Sequence, residues 1–122
     1  MKLIYNFKSP NFDRRKPKSK IKYIILHYTA MGSIRETIEH LCNKKSMVSC
    51  HYLISKKGKI YRLVNDEKRA WHAGKSNWKN VKDINSHSLG IELQNTGHLL
   101  KFENYGKYQI DGLILLLKIL KK

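Results

Sequence analysis

At 122 residues and 14.4 kDa the chain is the size of one domain, large enough for a core of its own without disulfide or metal staples. A hydrophobic fraction of 41% excludes a disordered polymer, and the most apolar stretch, Leu113 to Leu120, is too short to span a bilayer and is interrupted by Lys118. The formal charge of +16, from 25 Lys and Arg against 9 Asp and Glu, draws the protein towards nucleic acid, anionic lipid or an acidic wall polymer, and fits equally a solvated lysine-rich surface.

Residues 1–20 are rich in Lys, Arg and Asn and contain Pro10 and Pro17, so they read as an extended basic arm. The apolar start is broken at once by Asn6, Lys8 and Pro10. It lacks the hydrophobic centre of a secretory signal, which points to a cytoplasmic protein.

Ile21 to Thr29, IKYIILHYT, is an unbroken aliphatic and aromatic run, which predicts a strand buried on both faces with His27 at its exit. A histidine there is either a satisfied core residue or a reactive group held rigidly at a loop opening. Ser33-Ile34-Arg35-Glu36 is a capping box, and a helix over about 34–43 follows, with Ile34, Ile38 and Leu41 on one face.

Val48 to Ile54 and Lys59 to Val64 read as a β-hairpin turning at Lys57-Gly58. A polar loop over 75–87 precedes a further strand, Ser88 to Gln94, in which Leu89, Ile91 and Leu93 alternate with Gly90, Glu92 and Gln94. The last element is a helix from Asn104 to about Leu120 with a broad leucine face. Cys42 and Cys50 have no metal-binding spacing and read as free thiols.

Glu92 is the most informative polar residue, because a carboxylate within a strand is costly unless it faces a cleft or a partner; a salt bridge to one of the many lysines is the plainer alternative. His72 is framed by Trp71 and by Ala73-Gly74, which suits close backbone approach to a ligand beside an aromatic wall, or else a loop that Trp71 anchors. No Gly-rich phosphate loop, H-E-x-x-H or G-x-S-x-G occurs, which removes nucleotide-binding and serine-hydrolase readings.

The blocks LHYT, VSCHYLISKKGKIYRLV, RAWHAG and SLGIELQNTG, in this order and spacing, resemble the zinc-dependent N-acetylmuramoyl-L-alanine amidases, the family of the recycling amidase and phage T7 lysozyme, with the peptidoglycan-recognition proteins as relatives. The resemblance runs from about Ile21 to the chain end and implies an α/β fold with a mixed central β-sheet flanked by helices. It divides the chain into the arm, 1–20, and the N-terminal portion of a single amidase-like domain, 21–122, lacking the last strand and the segment that follows it.

The resemblance also implies roles. His27 matches the first zinc ligand and Glu92 the catalytic carboxylate of the recycling branch. Trp71, His72, Ala73 and Gly74 match the segment lining the substrate cleft, where Trp71 and His72 either contact substrate or support the reactive groups from behind, and His51 matches a histidine of the second strand that binds substrate or packs. The phage branch has a tyrosine where Cys50 stands, so the chain sides with the glutamate branch. Zinc on three protein ligands would activate a water and polarise the amide between N-acetylmuramic acid and L-alanine, but the other two ligands have no match in this sequence.

The expected partner is therefore peptidoglycan or a muropeptide, with association through an uncovered sheet edge, no membrane span and no specific nucleic acid. A non-catalytic peptidoglycan-binding module and a basic nucleic-acid-binding protein are the alternatives; the second rests on charge alone.

Overall fold

The computed structural model describes residues 3–74, 77–78, 81–97 and 104–121. In chain order the elements are β1 (Leu3–Ile4), β2 (Phe12–Arg14), β3 (Tyr23–Tyr28), α1 (Ile34–Leu41), β4 (Tyr52–Ile54), β5 (Ile60–Arg62), β6 (Lys68–Ala70), β7 (Asn77–Trp78), β8 (Val81–Lys82), β9 (Ser88–Leu93) and α2 (Lys107–Leu120). Single 3-10 turns lie at Lys44–Ser46 and Ile84–His87.

The centre is a five-stranded mixed sheet in the order β1-β5-β4-β9-β3, with β4, β9 and β3 parallel and β5 antiparallel to β4. Two ribbons, β2–β6 and β7–β8, flank it. Strand pairing sorts the side chains, because residues opposite one another in register share a face.

Tyr52, Ile54, Ile91 and Leu93 lie on one face and pack with Leu113 and Leu116 of α2; Leu53 and Tyr61 lie on the other and pack with Ile38 and Leu41 of α1. The result is helix, sheet, helix. This is the expected mixed sheet flanked by helices.

Local chemistry accounts for the helices. Ser33 Oγ accepts the Glu36 N–H at 3.1 Å, which starts α1, and Arg35 pairs with Glu39 one turn on at 3.2 Å. Helix α2 is seated by Gln109, a buried amide whose Nε2 donates to the carbonyls of Ile54 at 3.1 Å and Gln94 at 3.0 Å. Among the described residues no helix is long and apolar enough to cross a membrane.

Several expectations shift. β3 is not buried on both faces: among the described residues it is the edge of the sheet, bonded to β9 alone, and Leu26 and Tyr28 remain 48% and 42% exposed. Ile24, earlier on the same face, packs against the α2 core. The apolar run reported strand propensity, which says nothing of whether a second neighbour exists.

The stretch read as an extended arm supplies β1 and β2, and its middle is pinned to the fold. Asn11 Nδ2 donates to the carbonyls of Asn43 and Val48, both at 2.9 Å, and Arg15 Nη1 donates to those of Asn85, Ser86 and Ser88. The hairpin is β4–β5, shorter at both ends than expected, α1 stops at Leu41, and α2 begins at Lys107. The loop expected over 75–87 holds β7, β8 and a 3-10 turn; positions 75, 76, 79 and 80 lie outside the described residues.

Candidate active site

In the parallel pair β3–β9, His27 stands directly opposite Glu92, so both side chains leave the sheet on the α1 face near the carboxyl ends of their strands. Open α/β sheets present their reactive groups at this end. The loop after β6 brings a third group, His72, whose Nδ1 lies 3.0 Å from His27 Nε2 with the two rings edge-on.

His72 is itself held. Its Nε2 lies 3.0 Å from Ser88 Oγ, and Ser88 donates to the Ile84 carbonyl at 2.8 Å. The side-chain oxygen of Asn85 accepts the N–H groups of His72 and Ala73 at 3.1 and 2.9 Å. Ser49 clamps Trp71 through a pair of 2.9 Å bonds, Ser49 N–H to the Trp71 carbonyl and Trp71 N–H to Ser49 Oγ. Gly90 lies beneath the imidazole: a Cβ there would come within 2.5 Å of the His72 ring, so β9 must be bare at that point.

Glu92, His72, Trp71, Thr29, Thr37, Ser49 and His40 line a cleft of about 170 Å³ with part of α1. Hollows of about 650 and 360 Å³ lie elsewhere, and neither touches Glu92 or any histidine, so the smaller cleft is the site. The buried Trp71 indole N–H has no acceptor among the described residues, leaving a free donor on a residue of this cleft.

Burial raises the Glu92 carboxyl from 4.5 to about 7. Burial also lowers His27, and lowers His72 to about 3 with His27 and His51 adding to the effect. Near neutral pH the site therefore sets the uncharged rings of His27 and His72 beside a carboxyl poised to exchange a proton, the pairing acid–base chemistry needs. Cys50 is no nucleophile: it is fully buried, and burial, then the nearby Glu92, push its thiol well up. Both cysteines are free.

Of the residues singled out in the sequence, His27, Glu92, Trp71 and His72 come together. Ala73 contributes its backbone N–H to Asn85, and Gly74 is an exposed turn at φ 59°; neither lines the cleft. His51 is a strut and not a cleft wall. Fully buried, it accepts the Gly90 N–H at Nδ1 at 3.0 Å and bonds the Lys68 carbonyl from Nε2 at 2.8 Å, while burial lowers its pKa to about 4.

Sequence reasoning missed Ser88, Asn85 and His40. The small polar run Asn85-Ser86-His87-Ser88 at the mouth of an apolar strand was the available signal for the first two.

Among the described residues no group of three or more His, Cys, Asp and Glu side chains is placed to hold a metal ion. His27 stands with fewer donors than a catalytic zinc takes, so this donor set does not make a zinc centre by itself.

Fold and cleft together define an α/β domain that sets a half-buried carboxyl and an imidazole side by side at the ends of parallel strands. Residues 17–122 match the family described as N-acetylmuramoyl-L-alanine amidase, and the chain belongs to that family.

It is 35% identical over 111 residues to the N-acetylmuramoyl-L-alanine amidase AmiD of Escherichia coli K12, covering 81% of this chain and 39% of AmiD. It is 31% identical over 103 residues to the 1,6-anhydro-N-acetylmuramyl-L-alanine amidase AmpD of Haemophilus influenzae, covering 70% and 56%. The chain thus spans from about two-fifths to just over half of the length of these relatives.

Among solved structures, E. coli AmiD in complex with anhydro-N-acetylmuramic acid-L-Ala-D-γ-Glu-L-Lys superposes with a TM-score of 0.73 at 33% identity, over 88% of this chain and 46% of that one. A selenomethionine AmpD matches at 0.83 over 97% of this chain and 73% of its own; at 24% identity it speaks for the fold alone.

Proposed function

We propose that this chain carries the catalytic cleft of an N-acetylmuramoyl-L-alanine amidase acting on muropeptides or peptidoglycan. The observation that carries the reading is the half-buried Glu92 carboxyl, raised to about 7 and set opposite His27 at the rim of the sheet. Glu92 takes the proton of the attacking water as its oxygen bonds to the lactyl carbonyl carbon of N-acetylmuramic acid. It then delivers that proton to the amine of L-alanine as the C–N bond breaks. The substrate seen with AmiD, a muramyl peptide beginning with L-alanine, supports this choice of bond.

Zinc belongs to this reading through the family, with His27 the residue that would hold it; the family's other two ligands have no match in this sequence.

The test is incubation of the protein with anhydro-muramyl tripeptide and zinc, with released peptide followed by mass spectrometry. Release that stops with chelator and in Glu92→Gln is expected. A second reading, a peptidoglycan-binding module without turnover, is favoured by a metal-donor set that is incomplete among the described residues. It calls for chelator-insensitive binding with no peptide released, and a protein that neither binds nor cleaves the muropeptide rejects both.

A further inference from the structure

We infer that His72 is a positioning residue that fixes the tautomer of His27, placing the proton on Nε2 and leaving Nδ1 as the lone-pair nitrogen. The argument starts at the far end of a hydrogen-bonded chain. The Ile84 carbonyl accepts only, so the single hydroxyl proton of Ser88 is committed to it at 2.8 Å. Ser88 Oγ must then accept at its other contact, 3.0 Å from His72 Nε2, which makes that nitrogen the N–H of the ring.

A neutral imidazole has one N–H, so His72 Nδ1 is an acceptor. The atom facing it at 3.0 Å is His27 Nε2, which must donate. In the neutral His27 ring the remaining nitrogen, Nδ1, is therefore unprotonated, the state in which an imidazole binds a cation or takes a proton from water.

Two independent features make this arrangement specific. At Gly90 on β9 an added Cβ would strike the His72 ring, and Asn85 grips the backbone of His72 and Ala73 and so holds the loop that carries the ring. The role rests on reading His27 as a reactive residue of the cleft, but the tautomer itself is measured without turnover. Failure of the one and failure of the other are thus separate results.

The test is two-bond ¹H–¹⁵N correlation of the histidine rings in the metal-free protein at neutral pH. The expected spectrum has His27 and His72 both protonated at Nε2 and bare at Nδ1. Ser88→Ala frees the His72 proton to choose either nitrogen, and the His27 ring should become a mixture of tautomers with it. In His72→Phe the His27 preference should be lost, whereas His72→Asn, whose side-chain oxygen replaces Nδ1 as acceptor, should keep it. A wild-type His27 protonated at Nδ1, or a His27 signature unmoved in both Ser88→Ala and His72→Phe, overturns the inference. Should His72→Phe fail to fold, Ser88→Ala decides alone.

Discussion

Glu92 lies opposite His27 on one side of β9 and opposite Leu53 on the other. Its carboxyl is thus walled by an uncharged ring and by a fully buried aliphatic chain, with no cation paired to it among the described ion pairs. Desolvation without a counter-charge explains why its proton is held up to about 7 in a protein carrying a net charge of +16.

Amide hydrolysis by the proposed route needs Glu92 ionised before water attacks. kcat/KM on an anhydro-muropeptide should rise with pH through about 7, as the carboxyl titrates. Glu92→Gln should lower it by about 10² to 10⁴ with the circular dichroism spectrum unchanged. A rate flat from pH 5.5 to 8.5 would exclude Glu92 as the base.

The same carboxyl costs the fold stability once it is charged. Its pKa is raised on folding, from 4.5 to about 7, so the stabilisation is complete below the unfolded value and is lost as pH rises through the folded one. Urea unfolding should show the free energy falling between about pH 4.5 and pH 7 by at most about 3 kcal/mol. Glu92→Gln should flatten that limb and be the more stable protein at pH 8.

Asp83 titrates in the opposite sense. Burial alone would raise its carboxyl, but hydrogen bonds from Arg69 and Ser86 and the charges of Arg69 and Lys16 outweigh it and hold the pKa at about 2. Stability from this group is present above its ordinary value of 3.8 and is lost as pH falls through about 2. Asp83→Asn, which suits the left-handed backbone there at φ 56°, should remove about 2 kcal/mol of stability at neutral pH and flatten the acid limb of a melting series.

Gly90→Ala tests the seat of His72. The added methyl meets an imidazole held from three sides, so the ring must move, and a loss of about 1–3 kcal/mol is expected in denaturant titration. Gly32→Ala, where a Cβ meets nothing within 4 Å, is the control and should stay near the parent.

Much of this was legible in the sequence, and the reasons are particular. Glu92 is a carboxylate set within a strand, and that cost is visible without coordinates. Ser33 and Glu36 announce α1 by spacing alone. What escaped was whatever depends on neighbours far along the chain. An apolar run cannot say that β3 has one partner and not two, and the proline-bearing start gave no hint that Ile4 would pair with Tyr61. His51 and His72 look alike as sequence. They separate only when both nitrogens of the first are spent on the Gly90 N–H and the Lys68 carbonyl, and one nitrogen of the second turns to His27.

The matching of β3 to β9 has a consequence for how this protein tolerates change. Alternation along a strand has a period of two, so sliding β3 by a single residue would keep a hydrogen-bonded ladder yet swing the imidazole to the leucine-covered side of the sheet. Inserting one amino acid ahead of that histidine is thus the mutation to fear most: it disarms the chemistry in a molecule that still looks folded.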